Sequence, residues 1–530
     1  MKKLLAFVLA AMMLFGLVAC SNSNSDANGN KVETGNNNEA GNAGSEAQGE
    51  AASVHRDELR VALAGEPDVL NPYGCSHAAS LMTTLLVYER LMKTTPDGEI
   101  VPWLATEWEM VDDTTLHLTL RDDVYFTDGS KFTAEDCAFS LKTAAESSFT
   151  TNLFGCIDVE GFVINSDTDL IVKLKTPNAA LIPALAGVRA VMVSKNYFET
   201  ASAEDIGRKP MGTGPMKFVE WVAGDHYTLE KNENYWGEPL AYDKATFRFI
   251  TEASSRCIEL ETGGVDIAHD LASGDWERVA SNPNLKLISG DTLDTRFLCF
   301  NQTIEPFNDI NVRKGLAYAL DFEALVNVVW EGTAVVAKSY YSPAIMGYRA
   351  VGPQEYNPEL AKEYLAKAGY DESNPLKFVY NTYENNVNVT FAEMLQSMWK
   401  EVGVEIEVHV TDLSTFASMN NNGELNVSLL STTASMADPS AALLLWPVAR
   451  TISIRHNDQA VQDYLDEGLK TYDQEKRAEI YGELQEYLWE KFYAVPVCHT
   501  QAGYGCASYV ENLPFYPNLI YELEYVTFSK

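Results

Sequence analysis

Few groupings in this chain have the residue types and spacing that chemistry needs. Cys75 and His77 stand two apart and could begin a soft metal site, but no second matched pair of ligands accompanies them. His77 therefore reads first as a hydrogen-bonding imidazole, and no metal or cofactor is expected. Cys498 and Cys506 flank a short Gly-containing segment and could form a disulfide. The alternative, scattered buried thiols, is preferred, because the cysteines after residue 20 (75, 137, 156, 257, 299, 498 and 506) contain no CxxC or other metal-ligand spacing. There is no GxSxG, HExxH, Cys-His nucleophile signature or Walker sequence. Gly212-Thr-Gly-Pro215 is not a phosphate loop, since it lacks the Lys-Ser/Thr ending and Pro215 leads into the alternating segment Met216 to Trp221. The chain is read as a non-enzyme.

The clearest chemical signal is at the N-terminus. Lys2 and Lys3 precede an apolar run from Leu4 to Val18, too short for a membrane span, and residues 1–19 read as a signal peptide. The run closes on Leu17-Val18-Ala19-Cys20, which resembles the lipobox of bacterial lipoproteins, in which the cysteine is diacylated and becomes the first residue. Two or more acyl chains make a stable anchor. Residues 20–53 consist mostly of Ser, Asn, Gly, Glu and Ala, with Val32 the one larger aliphatic residue. Such a segment buries too little to offset its ordering entropy, so it reads as a tether with a reach of roughly 30 Å.

The body from Val54 to Lys530 must carry the rest. Of the 530 residues 46% are hydrophobic, and aromatic residues run throughout the body, enough for several cores in two or three domains. The formal net charge is -36. That excludes nucleic acid and electrostatic adhesion to anionic lipid, leaving the lipid on Cys20 as the membrane contact.

The elements that position these residues alternate between strand and helix, as in α/β folds. Thr115 to Arg121 alternates as a half-buried strand and runs to a turn at Thr127-Asp-Gly-Ser130; Thr133-Ala-Glu-Asp136 is a capping box opening a helix to about Ala145. Asn357 as N-cap and Pro358 open a helix through Ala368, stopped by Gly369. A strand near Leu376 to Tyr380, a helix from about Val389 to Val402 ended by Gly403, and a strand from Val404 to Val410 suggest a parallel crossover. A long helix from Asp473 to Phe492 precedes a strand from Ala494 to Cys498.

Taken together, eight short stretches in order and spacing resemble the extracellular solute-binding proteins of family 5, the group of dipeptide-, oligopeptide- and nickel-binding receptors. They are Glu66-Pro-Asp-Val-Leu-Asn-Pro72, Pro102-Trp-Leu-Ala-Thr-Glu-Trp108, Leu120 to Asp136, Gly212-Thr-Gly-Pro215, Asn234-Tyr-Trp-Gly237, Gly263-Gly-Val-Asp266, Phe300-Asn301 and Asn311 to Asp321. Most of these residues have structural roles, with Gly129, Gly212 and Gly214 serving turns and Asp321 a helix cap.

The resemblance implies a two-lobed α/β clamp of the class II periplasmic-binding type, with an extra subdomain on the first lobe. Lobe I would comprise 54–93, 210–289 and 507–530, the subdomain 94–209, and lobe II 290–506. It also implies an extracytoplasmic receptor that closes on a peptide or other small solute and delivers it to the permease and ATPase of an ABC importer. An extracytoplasmic enzyme using the cleft, or a binding protein that signals or adheres without transport, are the alternatives. By the same resemblance three loops line the cleft: one with Ser76 and His77, one with Tyr383 and Asn385, and one with Thr432, Thr433, Ser435 and Asp438. Peptide binders of the family typically carry an amine-anchoring Asp where this chain has Ser435 and a Trp where it has Thr432, and a dipeptide receptor has a carboxylate-binding Arg near the loop Asn381 to Asn388, which here has neither Arg nor Lys. Asp438 is expected to cap a helix at Pro439. A ligand that is long, blocked or neutral at its ends is therefore expected over a free dipeptide.

Overall fold

The computed structural model of the protein describes residues 54–75, 77–95, 98–448 and 453–530. The expected signal peptide, Cys20 and the tether lie outside the described residues, as does Ser76.

Local signals set the element boundaries. The Thr133 N–H donates to the Asp136 carboxylate at 3.0 Å and opens the helix Ala134–Glu146. Asn357 accepts from the Leu360 N–H at 3.0 Å, with Pro358 in the first turn of Pro358–Lys367. The crossover helix runs Asn386–Glu401, three residues earlier than the apolar pattern predicts, because the Asn385 side chain caps it. Gly403, at φ +83°, then turns the chain into the strand Val404–Thr411, which pairs in parallel with Leu376–Tyr383. The expected parallel crossover of strand, helix and strand is present. Gly212 and Gly214 do not serve turns through positive φ. A Cβ on Gly212 would stand 2.1 Å from the Val87 carbonyl oxygen, so close backbone approach is what requires glycine there.

A nine-stranded sheet forms the frame. Its order is Val427–Thr433, Leu285–Phe300, Ala494–Ala507, Ile267–Ala268, Arg56–Leu63, Tyr242–Phe249, His226–Lys231 and Met216–Val222, with Ala334–Val336 also paired to Ala494–Ala507. Arg56–Leu63 is parallel to both neighbours, and Leu59, Val61, Ala62 and Leu63 are fully buried, as a parallel strand covered on both faces requires. A four-stranded antiparallel sheet (Ala105–Asp112, Thr115–Leu120, Asp169–Lys173, Val163–Ser166) stands apart from it.

Two long strands join the halves of the frame. Leu285–Asp291 pairs with Gln501–Ala507, and Thr295–Cys299 pairs with Ala494–His499, with a register shift between Asp291 and Thr295. Beyond that shift Leu285–Phe300 gains Val427–Thr433 on its other edge. The strand predicted to end at Cys498 therefore continues to Ala507, through the Gly-containing segment between Cys498 and Cys506. Those glycines admit neighbours: a Cβ on Gly503 would meet the Trp276 ring at 2.9 Å, and one on Gly505 would meet Leu260 at 2.6 Å.

The cores follow the same division. One apolar cluster gathers Leu59, Leu116, Leu141, Phe247 and Tyr504; two others gather Leu298, Trp399 and Val495, and Phe297, Trp446 and Leu484. Phe297 and Leu298 are consecutive and so point to opposite faces of their strand, which gives that half a core on each face. Full burial of a side chain such as Leu298 contributes about 1.5–3 kcal/mol. The architecture is the two-lobed α/β arrangement expected of a class II binding fold.

Candidate ligand cleft

Of the first loop, Asn71 shapes the turn, accepting the Tyr73 N–H at 3.0 Å, and the Cys75 carbonyl accepts from Arg189 Nη1 at 2.9 Å. Cys75 is buried, and burial pushes its thiol up to about 11, so it stays protonated. His77 is exposed beside Gly65, at the entry to Ala78–Thr84, and its side chain makes no capping bond. No cluster of three or more His, Cys, Asp or Glu able to hold a metal ion occurs among the described residues.

Tyr383 ends its strand half-buried, with its ring 5.1 Å from that of Phe416. Asn385 is exposed and spends its side chain on the helix cap. In the third loop Thr432 is buried, and exposed Thr433 donates to Asp294 Oδ1 at 2.8 Å. Asp438 caps Pro439–Ala442 through the Ser440 N–H at 2.9 Å and pairs with buried Arg477. It therefore presents no free charge to a ligand. Cys498 and Cys506, in one extended strand, are both free thiols.

Among the nominated residues that are described, Ser435, half-buried, lines a cavity of ≈ 270 Å³ between the two halves of the frame. Ser435, Met436 and Ala437 face a wall built from Arg90, Val188 and the C-terminal tail residues Phe515, Tyr516 and Glu522. Met436 packs against apolar clusters on both sides, so the lobes meet here. Tyr383 and Asn385 do not line this cavity.

Below the wall lies a buried charge network that periodicity does not reveal. Arg90 Nη2 donates to Glu522 Oε1 at 2.7 Å, and the Lys93 ammonium pairs with Glu524 and lies 3.4 Å from the centre of the Trp103 ring. Burial opposes the Arg90 charge, but Glu522 and Glu524 outweigh it and hold the guanidinium above its ordinary range. Burial wins at Lys93 and draws its ammonium below the usual lysine range. Glu89 accepts from Trp103 Nε1 at 2.7 Å, Tyr235 Oη at 3.1 Å and Trp236 Nε1 at 3.1 Å, yet burial raises its carboxyl. The readable signal is the set of charged residues Glu89, Arg90 and Lys93 within an otherwise largely apolar segment from Leu85 to Lys93. Only their tertiary partners explain them: Glu522 and Glu524 in the tail for Arg90 and Lys93, and Trp103, Tyr235 and Trp236 for Glu89.

The two-lobed α/β frame, with a cavity between its halves, has the class II periplasmic-binding fold. The sequence pattern of the bacterial extracellular solute-binding proteins, family 5 (middle region), matches residues 99–451, and the chain belongs to that family. It is 26% identical over 494 residues to the nickel-binding periplasmic protein of Escherichia coli (strain K12), covering 87% of this chain and 92% of that one. It is also 26% identical over 454 residues to the glutathione-binding protein of Salmonella typhimurium, covering 83% and 88%. Among solved structures, HbpA2 from Haemophilus parasuis superposes with a TM-score of 0.82 at 22% identity, covering 89% of this chain and 100% of that one. The Helicobacter pylori periplasmic binding protein DppA, solved with the peptide STSA, does so with a TM-score of 0.75 at 24% identity, covering 90% and 99%.

Proposed function

We propose that the protein is a lipid-anchored receptor that captures a peptide or peptide-like solute in the cleft lined by Ser435 and hands it to the permease and ATPase of an ABC importer. The carrying observation is the cavity between the lobes, walled by Ser435 to Ala437 on one side and the C-terminal tail on the other. Peptide cargo is favoured by the similarity to DppA, and glutathione-binding and nickel-binding relatives keep other small solutes within the test. Cys20 supplies the anchor and residues 20–53 the tether. The lobes follow the boundaries expected above, with the register shift between Asp291 and Thr295 as the hinge in the connecting strands.

Charge sets the cargo's ends. With Ser435 at the position of the expected amine anchor and Asp438 held by Arg477, a dipeptide's ammonium finds no free carboxylate in this loop. A longer, blocked or neutral-ended ligand fits better. Mass spectrometry of small molecules released on denaturation, followed by calorimetry of the refolded protein with the hits, tests this. Submicromolar binding of free dipeptides, abolished by N-acetylation, would overturn the neutral-end reading. Import receptor function requires a smaller radius of gyration on adding the identified ligand; an open apo form whose scattering profile stays unchanged at saturation would exclude the clamp.

A further inference from the structure

Two residues that line this cavity each carry a buried polar atom without a partner. Glu522 Oε1 is held by Arg90, but Glu522 Oε2 is buried with no hydrogen-bond partner, and so is the Tyr516 hydroxyl. The whole residues are only 7% and 8% exposed, and both line the cleft cavity. Glu522 and Glu524 each already have a cationic partner, Arg90 and Lys93. Around them the lining is largely apolar, including Pro183, Val188, Leu293 and Met436. What the two atoms lack is a hydrogen-bond partner.

We propose that Glu522 and Tyr516 form a subsite for a neutral amide group of the ligand, its N–H donated to Glu522 Oε2 and its carbonyl accepting from the Tyr516 hydroxyl. The proposal rests on reading the protein as a cleft-binding receptor, and it makes the same two atoms a gate on closure. With the lobes together and no amide present, both are cut off from water and orphaned, which penalises the empty closed state. Opening returns them to solvent, and closing on an amide satisfies them. A solute without that group gains no such relief, so discrimination comes from the cost of closing on it. Burial, with Glu522 nearby, raises the Tyr516 phenol, which keeps it a donor.

The test uses the mature full-length chain, with N-methylacetamide as neutral amide probe and methylammonium as cationic comparator. Crystals soaked with each are expected to show N-methylacetamide against Glu522 and Tyr516, and methylammonium absent from that position. In solution, Tyr516→Phe is expected to weaken N-methylacetamide binding about tenfold, the effect of one hydrogen bond. Without ligand it should melt no lower than the wild type, because the hydroxyl it removes bonds to nothing in the protein. A lower melting temperature for Tyr516→Phe would show that the hydroxyl has a protein partner and would overturn the proposal. So would methylammonium in place of the amide, or neither probe at the site. If the amide probe binds there but no member of a peptide panel binds the wild type, the peptide reading falls and the subsite stands.

Discussion

The Asp438 carboxylate and the Arg477 guanidinium meet in a two-point ion pair in which the side chains are 3% and 0% exposed, Arg477 Nη2 donating to Oδ1 at 2.9 Å. The same Oδ1 accepts the Ser440 N–H at 2.9 Å, and Arg477 Nε donates to the Gly468 carbonyl at 2.8 Å. The pair thus ties the cleft loop to the long helix Gln474–Lys491. Asp438→Ala leaves a buried guanidinium without its anion and is expected to lower stability by about 3–5 kcal/mol in urea unfolding. The double variant Asp438→Leu with Arg477→Met should recover most of that loss. A single variant as stable as the wild type would show that the pair does not hold the loop.

His499 sits in the long strand Ala494–Ala507 opposite Thr295, 2% exposed, with Nδ1 3.1 Å from Thr295 Oγ1. Burial draws its imidazole down to about 4, so it is neutral in the folded protein at pH 7. The unfolded chain takes up this proton near pH 6.5, before the native state does, so stability is lost as pH falls from about 6.5 towards 4. The share of one such histidine is at most about 3 kcal/mol. Unfolding free energies measured across that range should fall less steeply in His499→Gln; identical slopes would remove His499 as a cause.

Gly212 and Gly129 should respond differently to the same substitution. A Cβ at Gly212 meets the Val87 carbonyl at 2.1 Å and the Tyr88 ring at 2.8 Å, so Gly212→Ala must move backbone and is expected to cost about 1–3 kcal/mol or more. At Gly129, φ is +87° and no atom lies within 4 Å of the added carbon, so Gly129→Ala carries only the conformational cost, about 1 kcal/mol. Thermal melts of the two variants should rank in that order.

Membrane attachment is expected to depend on Cys20 alone. Cys20→Ala should release the protein into the soluble fraction, since the chain is strongly acidic and no described helix is long and apolar enough to cross a membrane. Continued pelleting of this variant with membranes in high salt would contradict a lipid anchor.

By itself the sequence determined the local elements and, through eight ordered stretches, the family and its two-lobed fold. The capping residues Thr133, Asn357 and Asp321 act as read, because a cap needs only neighbours within three residues. Asp438 likewise caps Pro439–Ala442 as read. Tertiary structure alone decided that Ala494–Ala507 continues through its glycines, since Trp276 and Leu260, far away in sequence, fill the space that their missing side chains leave. It alone paired Arg90 with Glu522, more than four hundred residues apart, and brought Tyr516 to the same cavity as Ser435. Periodicity reports which face of an element is apolar, whereas a buried charge is explained only by the distant group that neutralises it.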